Sequence, residues 1–99
     1  MEFDAHVRRA LDSLPPEIAR RLENVAVVVE DEHPDDPDLF GLFQEEPYLP
    51  AKITIYRVPL EESFPEPGEL EHEIRITVLH ELAHYFGIDE ERLEELGYD

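Results

Sequence analysis

The chain contains no cysteine, so no disulfide braces it and no thiolate can bind a metal or attack a carbonyl. Cations are scarce: 8 basic residues face 26 acidic ones, for a net charge of −18. A surface of that sign repels phosphate backbones and anionic headgroups, which argues against nucleic-acid and membrane partners. It does not by itself demand a basic substrate, because the same charge also serves to keep a surface solvated. Long apolar runs are missing as well. The longest is Val25-Ala26-Val27-Val28-Val29, a strand's length and far short of the ~20 residues that span a bilayer. The opening residues, Met1 to Val7, lack the basic start and apolar stretch of a secretory signal, so the expectation is a cytoplasmic protein. With 99 residues, one domain over 1–99 is expected, since two would leave each half too small to fold comfortably.

The patterning alternates helix and strand. Phe3, Val7, Ala10, Leu11 and Leu14 fall on one helical face, and Pro15-Pro16 ends that helix. Ser13 or a proline starts a short second helix from Glu17 to Leu22. Val25 to Glu30 reads as a strand, and its near-continuous valines suggest burial on both faces. Asp31 to Asp38 is polar and proline-rich, hence a loop. Leu39 to Phe43 forms a short strand or a turn with apolar anchors. Lys52 to Val58 alternates as a strand bounded by Pro50 and Pro59. Leu60 to Pro67 is a connector with one helical turn. A long helix follows from about Gly68 to Phe86, with Gly87 as its C-cap and Asp89 capping a last helix, Glu90 to Leu96, closed by Gly97. No internal repeat or dividing linker is visible.

The chemistry concentrates in the long helix. His80-Glu81-Leu82-Ala83-His84 is an HExxH motif. Residues four apart lie one turn apart on the same face, so His80 and His84 can offer two imidazoles to one ion. Glu81 lies about 100° further round, beside the ion rather than on it, where it can take a proton from the ion's water as general base. Leu70, Ile74, Val78, Leu79, Leu82, Ala83 and Phe86 form an apolar arc on the same helix, with His80 and His84 beyond its border and Thr77 and Glu73 near their direction. One side is thus fit to pack and the other to open on a cleft. Gly87 then lets the chain turn sharply, and the acidic trio Asp89-Glu90-Glu91 follows. Zinc in catalytic sites takes three protein ligands and a water, and a carboxylate serves as the third. Glu90 is the leading third ligand, with Asp89 and Glu91 as alternatives; all three also suit the start of a helix.

The segments Ile53 to Leu60, Phe64-Pro65 and Thr77 to Gly97, together with Ala10 to Asp31, resemble the minimal zincin-like metallopeptidases, small bacterial proteins. The resemblance covers most of the chain. It implies an α/β (α+β) domain in which a small sheet packs against an N-terminal helix and a long active-site helix, with a short C-terminal helix. It implies Zn²⁺ at His80 and His84 and a catalytic Glu81. Such proteins typically read HExxHxxGxxD, and Glu90 stands where that aspartate falls, one methylene longer. The stretch from Phe43 to Lys52 is shorter than in similar sequences. Methionine is absent beyond Met1, so the Met-turn of larger metzincins is missing.

The expected activity is hydrolysis of a peptide bond by zinc-bound water with Glu81 as base. The rival is a zinc-binding interaction module without turnover. Peptide deformylase also carries HExxH, but it needs a cysteine ligand that this chain lacks. Among other candidates, Tyr56 is the best placed to donate to an oxyanion, ahead of Tyr48, Tyr85 and Tyr98, although packing is its commoner role. His72 points away from His80 on the helical wheel, and His6 and His33 read as exposed. Arg92 can pair with nearby acids or hold a ligand carboxylate.

Overall fold

A computed structural model describes residues 2–95, Glu90 by its backbone alone. The expected closure at Gly97, the end of the last helix at Leu96 and the ring of Tyr98 lie outside the described residues. The elements run α1 (Phe3–Asp12), α2 (Pro16–Arg21), a 3₁₀ turn, β1 (Val25–Glu30), β2 (Gly41–Gln44), β3 (Ala51–Tyr56), α3 (Arg57–Ser63), α4 (Pro67–Phe86) and α5 (Glu90–Glu95). This is the α+β arrangement expected.

The three strands form one mixed sheet in the order β1-β3-β2. β1 runs parallel to β3 with Val27 opposite Ile53, and β2 runs antiparallel to β3 with Gly41 opposite Ile55. Side chains alternate across a sheet, so Val25, Val27, Val29, Ile53, Ile55, Gly41 and Phe43 share one face. Helix α4 covers that face, and α1 packs on α4. The core there is Phe3, Val7, Ala10, Leu14 and Ile18 from the N-terminal helices, Ile53 and Ile55 from the sheet, and Leu70, Ile74, Val78, Leu79 and Leu82 from α4. Across the sheet, the loop between β1 and β2 sets the His33 ring edge-on to Tyr56 at 5.7 Å.

Three expectations change. β1 is an edge strand whose valines are only half-buried, so it is not enclosed on both faces. β3 stops at Tyr56, and Arg57 to Ser63 is helical rather than strand and connector. Pro59 fits there because the first turn of a helix has no partner for its N–H groups. The bond from Val58 N–H to the Asp31 carbonyl (2.9 Å) and the pairing of Arg57 with Asp31 anchor this helix to the end of β1. Finally, His6 is 5% exposed rather than on the surface, and His33 is half-buried. Nδ1 of His6 donates to Glu71 Oε2 at 2.6 Å, a clamp between α1 and α4. No described helix is long and apolar enough to cross a membrane.

Candidate active site

Helix α4 is fixed at both ends by its own sequence. Pro67 occupies the first helical position, and the Glu66 carboxylate accepts from the N–H groups of Gly68 (3.0 Å) and Glu69 (2.7 Å). At the other end Gly87 is left-handed (φ 67°), and the N–H groups of Gly87 and Ile88 both reach the Ala83 carbonyl. Leu70, Ile74, Val78, Leu79, Leu82 and Ala83 are buried, as the apolar arc requires, with Phe86 half-buried. That burial fixes the rotation of the helix and turns His80 and His84 outward.

Both imidazoles are exposed and line one pocket of about 270 Å³ with Ala83, Ile88 and Leu93. Neither makes a hydrogen bond to another described residue. His80 also borders a second hollow of about 340 Å³, which it shares with Glu81, Thr77, Gly41, Phe40, Leu39, Asp38 and Asp36. Glu81 is half-buried. Burial pushes its carboxyl above the ordinary value, while His84, the Phe43 backbone and His80 pull it down. Two nitrogen donors and an adjacent carboxylate therefore stand at the junction of two hollows.

The acidic trio divides. Asp89 caps α5, its Oδ1 accepting from Arg92 N–H at 2.9 Å, so its carboxylate is engaged. Glu91 is exposed. The side chain of Glu90 lies outside the described residues. Among those residues no group of three His, Asp or Glu is gathered for a metal. Arg92 binds outward, to Glu95 (2.8 Å) and to Glu17 of α2, which ties α5 to the N-terminal part of the fold. Tyr56 is buried on the sheet face opposite α4, its hydroxyl pushed up by burial and then by Glu30. Tyr85 stacks on Phe43 (4.4 Å between centroids), and its hydroxyl donates to Glu45 at 3.2 Å. His72 is exposed, as expected.

Gly41 escaped the sequence reading, which named Thr77 only for lying near the direction of His80 and His84, and Phe43 only within a short apolar stretch. The Thr77 hydroxyl bonds back to the Glu73 carbonyl (2.8 Å), which turns its methyl toward Gly41. A glycine inside the apolar run Leu39 to Phe43 was the available signal, since glycine in a strand often marks close backbone approach.

A short mixed sheet packed on a helix that opens an HExxH face into a cleft defines a metallopeptidase-like architecture. The chain belongs to the zincin-like metallopeptidase family, whose sequence model matches residues 22–98. The match begins at Leu22, so α1 and α2 precede it. No curated protein matches the chain.

Proposed function

We propose that the protein is a zinc-dependent peptidase that cleaves an extended chain laid along β2. The observation that carries this reading is the junction just described: His80 and His84 open to one pocket, with the half-buried Glu81 in the hollow beside it. The donor set fits zinc. Two neutral imidazoles one turn apart on a rigid helix are borderline-soft nitrogen ligands of the type that ion takes. Glu90 is the third ligand in this reading, because Asp89 is occupied as a cap. Zinc, when bound, would acidify a water and polarise the scissile carbonyl.

The chain's own residues do the rest. β2 is an edge strand. The bond from Tyr56 N–H to the Phe40 carbonyl (2.9 Å) sets the pairing phase, so Leu42 and Gln44 bond to β3 while Gly41 and Phe43 turn their N–H and C=O groups outward. An extended peptide can add there as a further strand, which holds its backbone beside Glu81. Glu81 takes a proton from the attacking water and returns it to the amine as the C–N bond breaks.

The test joins metal content to turnover. Purified protein is expected to hold one zinc, His80→Ala and His84→Ala to lose it, and Glu81→Gln to keep it. Metal-dependent cleavage of a peptide library should fall by roughly 10²–10⁴-fold in Glu81→Gln. Unchanged cleavage with zinc retained defeats the mechanism. Tight zinc with no cleavage of any peptide would leave a metal-binding module without turnover.

A further inference from the structure

We infer that Gly41 is a positioning residue for Glu81: the missing side chain lets β2 lie against α4, and that contact seats the strand beside the Glu81 side chain. This rests on Glu81 being the base proposed above.

The geometry is specific. A Cβ at Gly41 would stand 2.5 Å from Cγ2 of Thr77 and 3.8 Å from Cγ of Glu81. The first distance is well inside van der Waals contact, so β2 or α4 would have to move. The close neighbour is a methyl next to the backbone of a buried helix. Thr77 is 8% exposed, and its hydroxyl is tied to the Glu73 carbonyl, so the methyl cannot rotate away without breaking that bond. Gly41 does not use a left-handed torsion, since Gly87 is the glycine with positive φ among the described residues. Its requirement is therefore space rather than backbone freedom.

That space matters to the base through the pairing phase. Gly41 and Phe43 are the β2 residues whose main-chain groups face away from β3. A Cβ at Gly41 would already touch Cγ of Glu81, and Gly41, Thr77 and Glu81 line one hollow, so the strand walls the space in which the carboxylate sits. Pushing the strand off Thr77 would widen the gap between the free edge and Glu81. A displacement of about 1 Å at a reacting group can cost on the order of 10²-fold in rate.

The experiment is a rescue. In Gly41→Ala, kcat for metal-dependent peptide cleavage is expected to fall by roughly 10–100-fold, with zinc content unchanged. Adding Thr77→Ser removes the methyl that the new Cβ meets and should restore most of the loss. A purely structural injury would instead lower the urea midpoint and zinc content of Gly41→Ala together with kcat. A second readout needs no substrate. In an otherwise native protein, Glu81→Gln should move the amide resonance of position 41 more than that of Gln44 at the far end of β2. That response should vanish on the Gly41→Ala background and return with Thr77→Ser. Gly41→Ala with full kcat, failure of Thr77→Ser to rescue, or an amide at position 41 indifferent to Glu81→Gln each overturns the inference. Unchanged turnover in Glu81→Gln instead overturns the underlying mechanism, so the two failures are separable.

Discussion

Thr54 sits at the centre of β3, 1% exposed, and its hydroxyl has no hydrogen-bond partner among the described residues. A buried unpaired hydroxyl carries its desolvation cost without return, about 1–3 kcal/mol. Valine has nearly the same shape and no such cost. Thr54→Val is therefore expected to stabilise the protein by roughly 1 kcal/mol, read as a higher urea midpoint at unchanged slope. A lower midpoint would mean that the hydroxyl is satisfied in solution. Single residues are also where the sequence spoke least. His80, Glu81 and His84 were legible because four-residue spacing on a helix is a local property. The burial of His6 was not, since its partner Glu71 lies 65 positions away. Gly41 was silent for the same reason, and Thr77 was legible only as a position on the helix face: their contact exists only between helix and strand.

The elements were more legible, and their ends show why. The long helix declared itself through its apolar arc and Gly87. Gly87→Ala isolates one term, because a Cβ there would meet nothing within 4 Å. The cost is that of a left-handed alanine, about 1–2 kcal/mol in thermal or urea unfolding. Strand β1 misled because continuous valine does not distinguish a central strand from an edge strand with one covered face. Helix α3 was missed because Val58 and Pro59 carry strand and breaker signals, whereas a proline in a first turn is tolerated. Two carboxylates that hold α4 also set its acid sensitivity. The N–H groups of Glu69 and Gly68 hold Glu66 below the usual glutamate value, and His6, then Arg9, do the same for Glu71. A carboxylate depressed in the folded state adds stability above its unfolded pKa and loses it as pH falls through the folded one. The stability gap between the native protein and Glu66→Gln/Glu71→Gln should thus be constant near neutrality and close below about pH 4 in acid titrations of the unfolding free energy. A gap that widened on acidification would contradict this sign.

Over the whole molecule, repulsion among the carboxylates opposes the compact state, with net charge −18 on 99 residues. Paired cations offset this locally, as in Arg57 with Asp31 and Glu61 or Arg92 with Glu17 and Glu95. These pairs are largely exposed, and exposed pairs contribute little. Screening should therefore relieve more repulsion than it removes attraction. Raising sodium chloride from a low level to about 0.5 M is expected to add roughly 1 kcal/mol, a rise in Tm of ~4–8 °C. A fall in Tm would mean that the ion pairs outweigh the repulsion.

The helices ahead of Leu22 have a consequence of their own. Phe3, Val7, Ala10, Leu14 and Ile18 are buried in the same core as Ile74 and Leu79, and His6 is bonded to Glu71. The segment that bears the lineage's signature, residues 22–98, is thus expected not to stand by itself. Shorn of its first 21 residues, the chain would present a bare greasy flank on the helix that carries His80 and His84. Such a fragment should lack cooperative unfolding by circular dichroism. A synthetic peptide of residues 1–21 supplied in trans should restore it, a two-piece reconstitution in which the unsigned part acts as the template for the signed one.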